Sequence, residues 1–170
     1  TGNATLNMFG GGNINIGGDV RAYHVGGTTE LNLNNITANV AGAVKEFQTI
    51  NMDENATLTV GSLVMTGTDV LNVVLANTDA YSQIIAGTLN VNGATLNMTV
   101  RNPGTYNVIS AETVTSNFSW HLVNALYDLS QENGIVTATA KSVEDIAEQN
   151  GLEQDSANAV SGLTQSTSSA

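Results

Sequence analysis

The chain has 170 residues and a mass of 17.6 kDa, which is enough to bury one hydrophobic core and too little for two large domains. Four basic residues against 15 acidic ones give a formal net charge of -11, so an extended phosphate backbone would be repelled and nucleic-acid binding is excluded. Cysteine is absent, which excludes thiol catalysis, thiolate metal sites and disulfide bonds.

Neutral polar residues take the place of the missing charges. Charged residues make up only 11% of the chain, whereas it contains 22 Asn and 21 Thr. Amide and hydroxyl side chains favour turns and hydrogen-bonded ladders between neighbouring strands. The composition therefore disfavours a charged helical bundle.

From residue 1 to about residue 140, apolar and polar residues alternate in short bursts. Such alternation is typical of strands with one buried face, and it occurs in Thr5–Met8, Asn13–Ile16, Glu30–Leu33, Thr57–Val60 and Thr95–Val100. Glycines punctuate the bursts, among them Gly61 and Gly87, at intervals too short for crossover helices. The pattern predicts an all-β region of short strands separated by glycine turns.

Several bursts resemble one another, which indicates degenerate internal repeats. The similar segments are Asn3–Met8, Thr29–Leu33, Asn55–Val60 and Gly93–Val100. Their irregular spacing suits the coils of a right-handed parallel β-helix, in which inward Leu, Ile, Val and Met stack into one core and outward Asn and Thr form ladders. An antiparallel sandwich with glycine turns is the alternative.

The pattern changes after Ala140. Ser142 followed by acids reads as the N-cap of a helix, and Asn150-Gly151-Leu152 reads as its end. A second helix around Ala157–Leu163 and a flexible tail are expected to follow. We therefore divide the chain into a β-helix region, 1–140, and a helical linker with its tail, 141–170.

One stretch of the chain resembles the C-terminal end of autotransporter passengers, which are type V secretion proteins of Gram-negative bacteria. The resemblance lies in the order of Asp79–Val100, then Gly104–Ser110, then Asn117-Phe118, with Tyr127–Thr139 as a closing hairpin that turns at Asn133-Gly134. The segment after Ala147 is similar to the helical linker that precedes the translocating barrel in that family.

The resemblance implies a non-enzymatic scaffold at the cell surface or secreted across the outer membrane, without cofactor or metal. It implies that about 70–140 is an autochaperone-like cap, and that the chain supports adhesion to host cells or self-association. Because one rung cannot bury its apolar face alone, a stable cap would template the next rung as the chain emerges. The residues expected to form this folding nucleus and cap are Leu89, Val91, Leu96, Met98, Val100, Tyr106, Val108, Ile109, Phe118, Trp120, Leu126 and Leu129.

The family also implies a partner, the protein's own C-terminal outer-membrane β-barrel, which this sequence does not contain. Because the chain begins at Thr1 without Met, we expect it to be a piece of a longer, processed protein. Leu122, Val123 and Tyr127 are expected to join the cap in covering the end of the core.

A β-helical carbohydrate-active enzyme or glycan-binding module is the alternative function. Its acids would be Asp53 and Glu54, with Asp69 and Asp79 at other turns. Such an enzyme also needs a cation near its substrate, and the only arginines, Arg21 and Arg101, cluster only if the coiling superposes them. The two histidines, His24 and His121, lie in no metal-binding spacing, which predicts that no metal is bound.

Overall fold

The computed structural model describes residues 2–23 and 26–149. Within these residues no helix is both long and apolar enough to cross a membrane. His24 and the predicted second helix and tail lie outside the described residues.

Short strands make up most of the fold, as the alternation predicts. The strands and the helix, in chain order, are β1 (Ala4–Phe9), β2 (Asn13–Ile16), β3 (Val20–Arg21), β4 (Thr29–Asn34), β5 (Thr37–Lys45), β6 (Thr49–Met52), β7 (Thr57–Val64), β8 (Val70–Asn77), β9 (Ala80–Tyr81), β10 (Gln83–Asn90), β11 (Thr95–Val100), β12 (Gly104–Asn107), β13 (Ile109–Ser116), β14 (Ser119–Trp120), β15 (Tyr127–Glu132), β16 (Ile135–Ala140) and α1 (Val143–Gln149).

The strands coil into a parallel β-solenoid of about five turns. One sheet has the order β1-β4-β6-β8-β11-β14, with β9 beside β8. The other has the order β2-β5-β7-β10-β13, with β3 beside β5. Pairing between successive turns is parallel throughout, which confirms the predicted parallel β-helix and rejects the antiparallel sandwich.

The core consists of apolar columns that run from turn to turn inside the coil. Leu31, Ile50, Leu71 and Leu96 are paired in sequence across β4, β6, β8 and β11, and none is more than 1% exposed. Each such side chain is buried only because the turns on both sides cover it. Burial of each Leu or Ile stabilises the fold by about 1.5 to 3 kcal/mol, and this stabilisation is gained only when neighbouring turns are stacked, because a single turn leaves the side chain exposed.

A ladder of asparagines runs along the outer surface of the first sheet. Amide nitrogens donate to the oxygen of the preceding rung from Asn32 to Asn7 at 2.9 Å, from Asn51 to Asn32 at 2.9 Å, from Asn72 to Asn51 at 2.7 Å and from Asn97 to Asn72 at 3.1 Å. The steps between these residues vary from 19 to 25 positions. Loops of different length thus keep one register, which confirms the predicted Asn ladder.

The interpretation of Gly61 and Gly87 as turns between strands is wrong. They lie inside β7 and β10, where each strand bends around a corner of the solenoid and the buried set changes parity, from Leu58 and Val60 to Leu63 in β7. A Cβ on Gly87 would lie 2.6 Å from the carbonyl oxygen of Gly61. Glycine is required here because successive backbones approach closely, not because a strand ends.

The similar segments do not all occupy the same face. Those at residues 3–8, 29–33 and 93–100 lie on β1, β4 and β11 of one sheet, whereas 55–60 lies on β7 of the other. The same alternation serves any face of the coil, because every face packs apolar side chains inward. Repeat similarity therefore identifies rungs without identifying the sheet.

The C-terminal part leaves the solenoid and closes it. The third sheet has the order β12-β16-β15 and is antiparallel, and β15 and β16 form the predicted hairpin around Asn133 and Gly134. Helix α1 follows, with the hydroxyl of Ser142 accepting the Asp145 N–H at 3.1 Å, so the predicted N-cap is confirmed. The predicted helix end at Asn150-Gly151 lies outside the described residues.

Candidate functional site: the two ends of the solenoid

The N-terminal end of the described solenoid is open. Among residues 2–23 and 26–149, strand β1 pairs only with β4, and β2 pairs only with β5, so one backbone edge of each strand faces away from the coil. Leu6 is paired with Leu31 in the core column, yet it is 39% exposed while Leu31 is 1% exposed. The inward face of this first rung therefore has the chemistry of a core without the cover of one.

The first rung also carries the same types of residue as the inner rungs, although they are less buried. Ile14 and Ile16 on β2 are only partly buried against the core, and Phe9 at the end of β1 is largely exposed. Asn7 accepts a hydrogen bond from Asn32 and stands at the last position of the asparagine ladder. A further rung of the same register would continue the apolar columns, the backbone pairing and the ladder together.

The C-terminal end is closed by the third sheet. Val136 and Ala138 of β16 are buried in the core, and Val136 is paired with Tyr106 of β12. The carbonyl oxygen of Gly134 at the hairpin turn accepts the N–H groups of Val108 and Ile109, each at 3.1 Å. The hairpin thus supplies both apolar cover and hydrogen-bond partners to the last turn of the solenoid.

Tyr106 fixes this cap to the solenoid. Its side chain is fully buried, its hydroxyl donates to the carbonyl oxygen of Asn102 at 2.6 Å, and its ring meets the edge of Tyr81 at a centroid distance of 5.2 Å. Burial, with a smaller contribution from Tyr127, raises the pKa of Tyr106 above its usual value of 10.0. The hydroxyl therefore remains a neutral donor within the cap.

A cleft of about 560 Å³ remains between the hairpin turn and the last solenoid strands. Its lining includes Ile109 and Val114 of β13, Phe118 and Trp120, and its rim includes Glu132 of the hairpin. The rings of Phe118 and Trp120 meet edge to face at 6.4 Å. Trp120 is paired with Leu96, so this aromatic pair lies at the last position of the stacked column.

The structure brings together most of the residues predicted for the folding nucleus and cap. Seven of the twelve are buried in the core cluster and four are packed against it, namely Leu89, Val91, Leu96, Tyr106, Val108, Ile109 and Phe118, and Met98, Val100, Trp120 and Leu129. Their role in folding stays a prediction.

The expectation that Val123 and Leu126 cover the core is wrong. Leu126 is 54% exposed and Val123 is still more so, and both lie in the loop between β14 and β15. The Leu126 carbonyl accepts the Lys141 N–H at 2.9 Å, which extends the pairing of β15 and β16 by one step. Phe118 and Val136 do the covering instead.

Two of the acids considered for an enzyme, Asp53 and Glu54, are engaged with neighbouring turns of the solenoid. Both carboxylate oxygens of Asp53 accept the N–H of Asn35 at 3.0 Å, while Glu54 forms an ion pair with Arg101 at 3.2 Å. The pKa of Glu54 is lowered by its own backbone N–H and, less strongly, by Arg101. Arg21 pairs with Glu46, so the two arginines belong to separate ion pairs.

No group of three or more His, Asp or Glu side chains suited to a metal ion occurs among residues 2–23 and 26–149. His121 follows β14, and its backbone N–H donates to the Leu96 carbonyl at 2.9 Å. His24 lies outside the described residues, so its part in the prediction is not tested.

Sequence reasoning missed the contacts that define the corner at the open end. A carboxylate oxygen of Asp19 accepts the Ala43 N–H at 2.8 Å, and its other oxygen lies 3.5 Å from the Lys45 ammonium. The hydrogen bond from Ala43, then the charge of Lys45, lower the pKa of Asp19 below its usual value of 3.8. No pattern around Asp19 points to Ala43, which lies one rung away.

We expect Asp19→Asn to destabilise the protein at neutral pH and to lose this effect in acid. Because the folded state lowers the pKa of Asp19, its carboxylate contributes stability above the unfolded-state value and loses that contribution as the pH falls through the folded-state value. Urea unfolding of both proteins at about pH 7, pH 4 and pH 3 measures the difference. A difference that stays constant over this range would contradict the assignment.

Comparison with protein-family models, with curated proteins and with solved structures yields no match.

Proposed function

We propose that this chain is a non-enzymatic scaffold, the membrane-proximal end of an autotransporter-type passenger, and that its capped end supports the growth of a β-solenoid from its open end. The carrying observation is the difference between the two ends. Val136 and Tyr106 close one end with buried side chains, whereas Leu6 at the other end is exposed at a core position.

The scaffold works through stacking. A rung that arrives at β1 finds an ordered backbone edge, a partly exposed apolar face and an asparagine at the end of a ladder. The ordering of that rung is opposed by about 1 to 2 kcal/mol of backbone entropy for each residue, which only a preformed surface offsets with immediate burial. Growth at the open end thus proceeds without an external source of energy.

The proposal includes the location and the partners that the resemblance to autotransporters implies. The chain would lie at the surface of a Gram-negative cell, or be secreted from it, next to its own outer-membrane barrel. The acidic character of the chain, with a net charge of -11, keeps such a surface soluble. Adhesion or self-association would use the lateral faces or the open end, where Leu6 and Phe9 are exposed.

Duplication of the first rung tests the stacking step. In the extended chain, residues 4–28 are repeated directly before Ala4, which matches the 25-residue step between Asn7 and Asn32. We expect Leu6 of the original rung to become buried and amide exchange in β1 and β2 to slow by at least about tenfold. Hydrogen exchange with mass spectrometry measures this.

The matched control carries Leu6→Asp and Met8→Asp in the added copy only. These changes keep the length and the turns but remove the apolar face that would stack on the original rung. The control is expected to leave exchange in β1 and β2 as in the original chain. If the unmodified extension leaves β1 and β2 equally unprotected, the open end does not act as a template.

A further inference from the structure

A polar cleft of about 290 Å³ lies on the side of the solenoid, and it reaches the first turn, to which Arg21 and Tyr23 belong. It is formed where the first three turns pass the same corner, by the segments after β3, β5 and β7. Pockets that bind small ligands combine an apolar surface with a few placed polar groups. This cleft has both, and the folding role of the solenoid does not use it.

The apolar surface of the cleft is an aromatic ring. Tyr23 lines the cleft and is 79% exposed, next to the buried Ala22. A large aromatic side chain presents a flat apolar face together with a polar hydroxyl, and exposure to this degree leaves that face open to a ligand. The C–H face of a sugar ring is the complementary shape.

The polar groups of the cleft are held by the backbone of the solenoid. The side-chain oxygen of Gln48 accepts the Thr29 N–H at 3.2 Å, and a carboxylate oxygen of Asp69 accepts the Thr66 N–H at 2.7 Å. The hydroxyls of Thr66 and Thr68 lie 3.4 Å apart. Amide, hydroxyl and carboxylate groups in fixed positions are the donors and acceptors that sugar hydroxyls need.

The charge of the cleft favours a neutral ligand. Arg21 and Glu46, which both line the cleft, form an ion pair, and Asp69 adds a second carboxylate, so the acids outnumber the base. An anionic ligand would meet this local excess as well as the negative charge of the whole chain.

Backbone conformation gives an independent indication at the same place. Glu46 has φ 66°, and among the described residues it alone, apart from glycines and asparagines, has a positive φ. Non-glycine residues are strained there by about 1 to 2 kcal/mol, and such strain clusters at functional sites. Gly or Asn would relieve it, and what Glu adds at this position is a carboxylate that pairs with Arg21 at the cleft.

We propose that this cleft binds a short neutral oligosaccharide. One sugar ring stacks on Tyr23, and its hydroxyls bond to Glu46, Gln48 and Asp69. The site includes the first-turn residues Arg21 and Tyr23, but sugar binding uses none of the stacking contacts of Leu6 or Asn7, so it is tested independently of the folding role proposed above.

The test is isothermal titration of the full chain with three neutral probes: cellotetraose, maltotetraose and chitotetraose. We expect at least one to bind with a Kd of about 1 mM or below. Tyr23→Ala should raise that Kd by about tenfold or more, because the stacking face is removed, whereas Tyr23→Phe should keep the Kd within about threefold. Phe9→Ala is the matched control, since it removes an exposed ring outside the cleft and should leave binding unchanged.

The variant Glu46→Gly distinguishes a loss of sugar binding from a loss of stability. It should weaken binding while leaving the unfolding temperature unchanged or higher, because glycine adopts this φ without strain. The proposal is overturned if none of the three probes binds, or if the binding survives Tyr23→Ala or Glu46→Gly at full affinity.

Discussion

Val136→Asp is expected to unfold the cap and then to destabilise the whole solenoid, by at least about 3 kcal/mol. Val136 is fully buried between the hairpin and the core and is paired with Tyr106. A carboxylate at this position has no cationic partner, so the hairpin must open to hydrate it. Opening exposes the last turn of the stack.

The readout is hydrogen exchange, together with the rate of refolding after dilution from urea. Protection should be lost first in β12, β15 and β16 and next in β13 and β10, and refolding of the remaining strands should slow, as the proposed nucleating role of the capped end requires. Loss of protection confined to the hairpin, with normal refolding, would contradict a nucleating role. Val136→Ala is the milder variant if the aspartate variant does not fold.

The neighbouring residue provides the control. Ile135→Asp places the same charge in the same strand, but Ile135 is 42% exposed. We expect a change of about 1 kcal/mol or less. When each variant is displayed on cells through a translocating outer-membrane barrel, Val136→Asp should reduce the protease-resistant surface fraction and Ile135→Asp should not.

Gly61→Ala is expected to destabilise the protein by about 3 kcal/mol, although it adds only one methyl group. The new Cβ would overlap the carbonyl oxygen of Ala41 in the preceding turn, and that oxygen belongs to backbone that cannot rotate away. Two paired strands, β5 and β7, would have to separate at the corner. Thermal unfolding followed by circular dichroism measures the change.

Gly17→Ala is the matched control for this corner. Gly17 follows Ile16, which is paired through Val40 with Val60, the residue before Gly61. A Cβ on Gly17 would meet nothing within 4 Å, because the first rung is covered on one side only. The control should change stability by about 0.5 kcal/mol or less, and an equal effect of the two variants would contradict close approach as the reason for Gly61.

Much of the fold could be predicted because the alternation that marks each strand is local. The alternation around Leu58 and Val60 predicts a strand with one buried face from only four residues. Ser142 followed by acids predicts the start of a helix from a similarly short segment. Val123 and Leu126 show the limit of this reasoning, since their apolar character says nothing about where their loop runs.

The candidate cleft and the end contacts could not be predicted in this way. Tyr23, Glu46 and Asp69 come from three different turns, and the corner loops that bring them together vary in length. The positive φ of Glu46 could not be predicted either, because Glu is not a residue type that favours this conformation.

The sequence by itself determined that the chain is β-rich, acidic, free of cysteine and built from inward-facing apolar rungs with asparagines outside, because each of these properties resides in composition or in neighbouring residues. Only the tertiary structure decided which rungs stack in register, that Gly61 is a corner and not a turn, and that one end is closed while the other is open. The physical reason is that these properties depend on contacts between residues a full turn apart, where the backbone of one rung sets the space and the hydrogen-bond partners of the next.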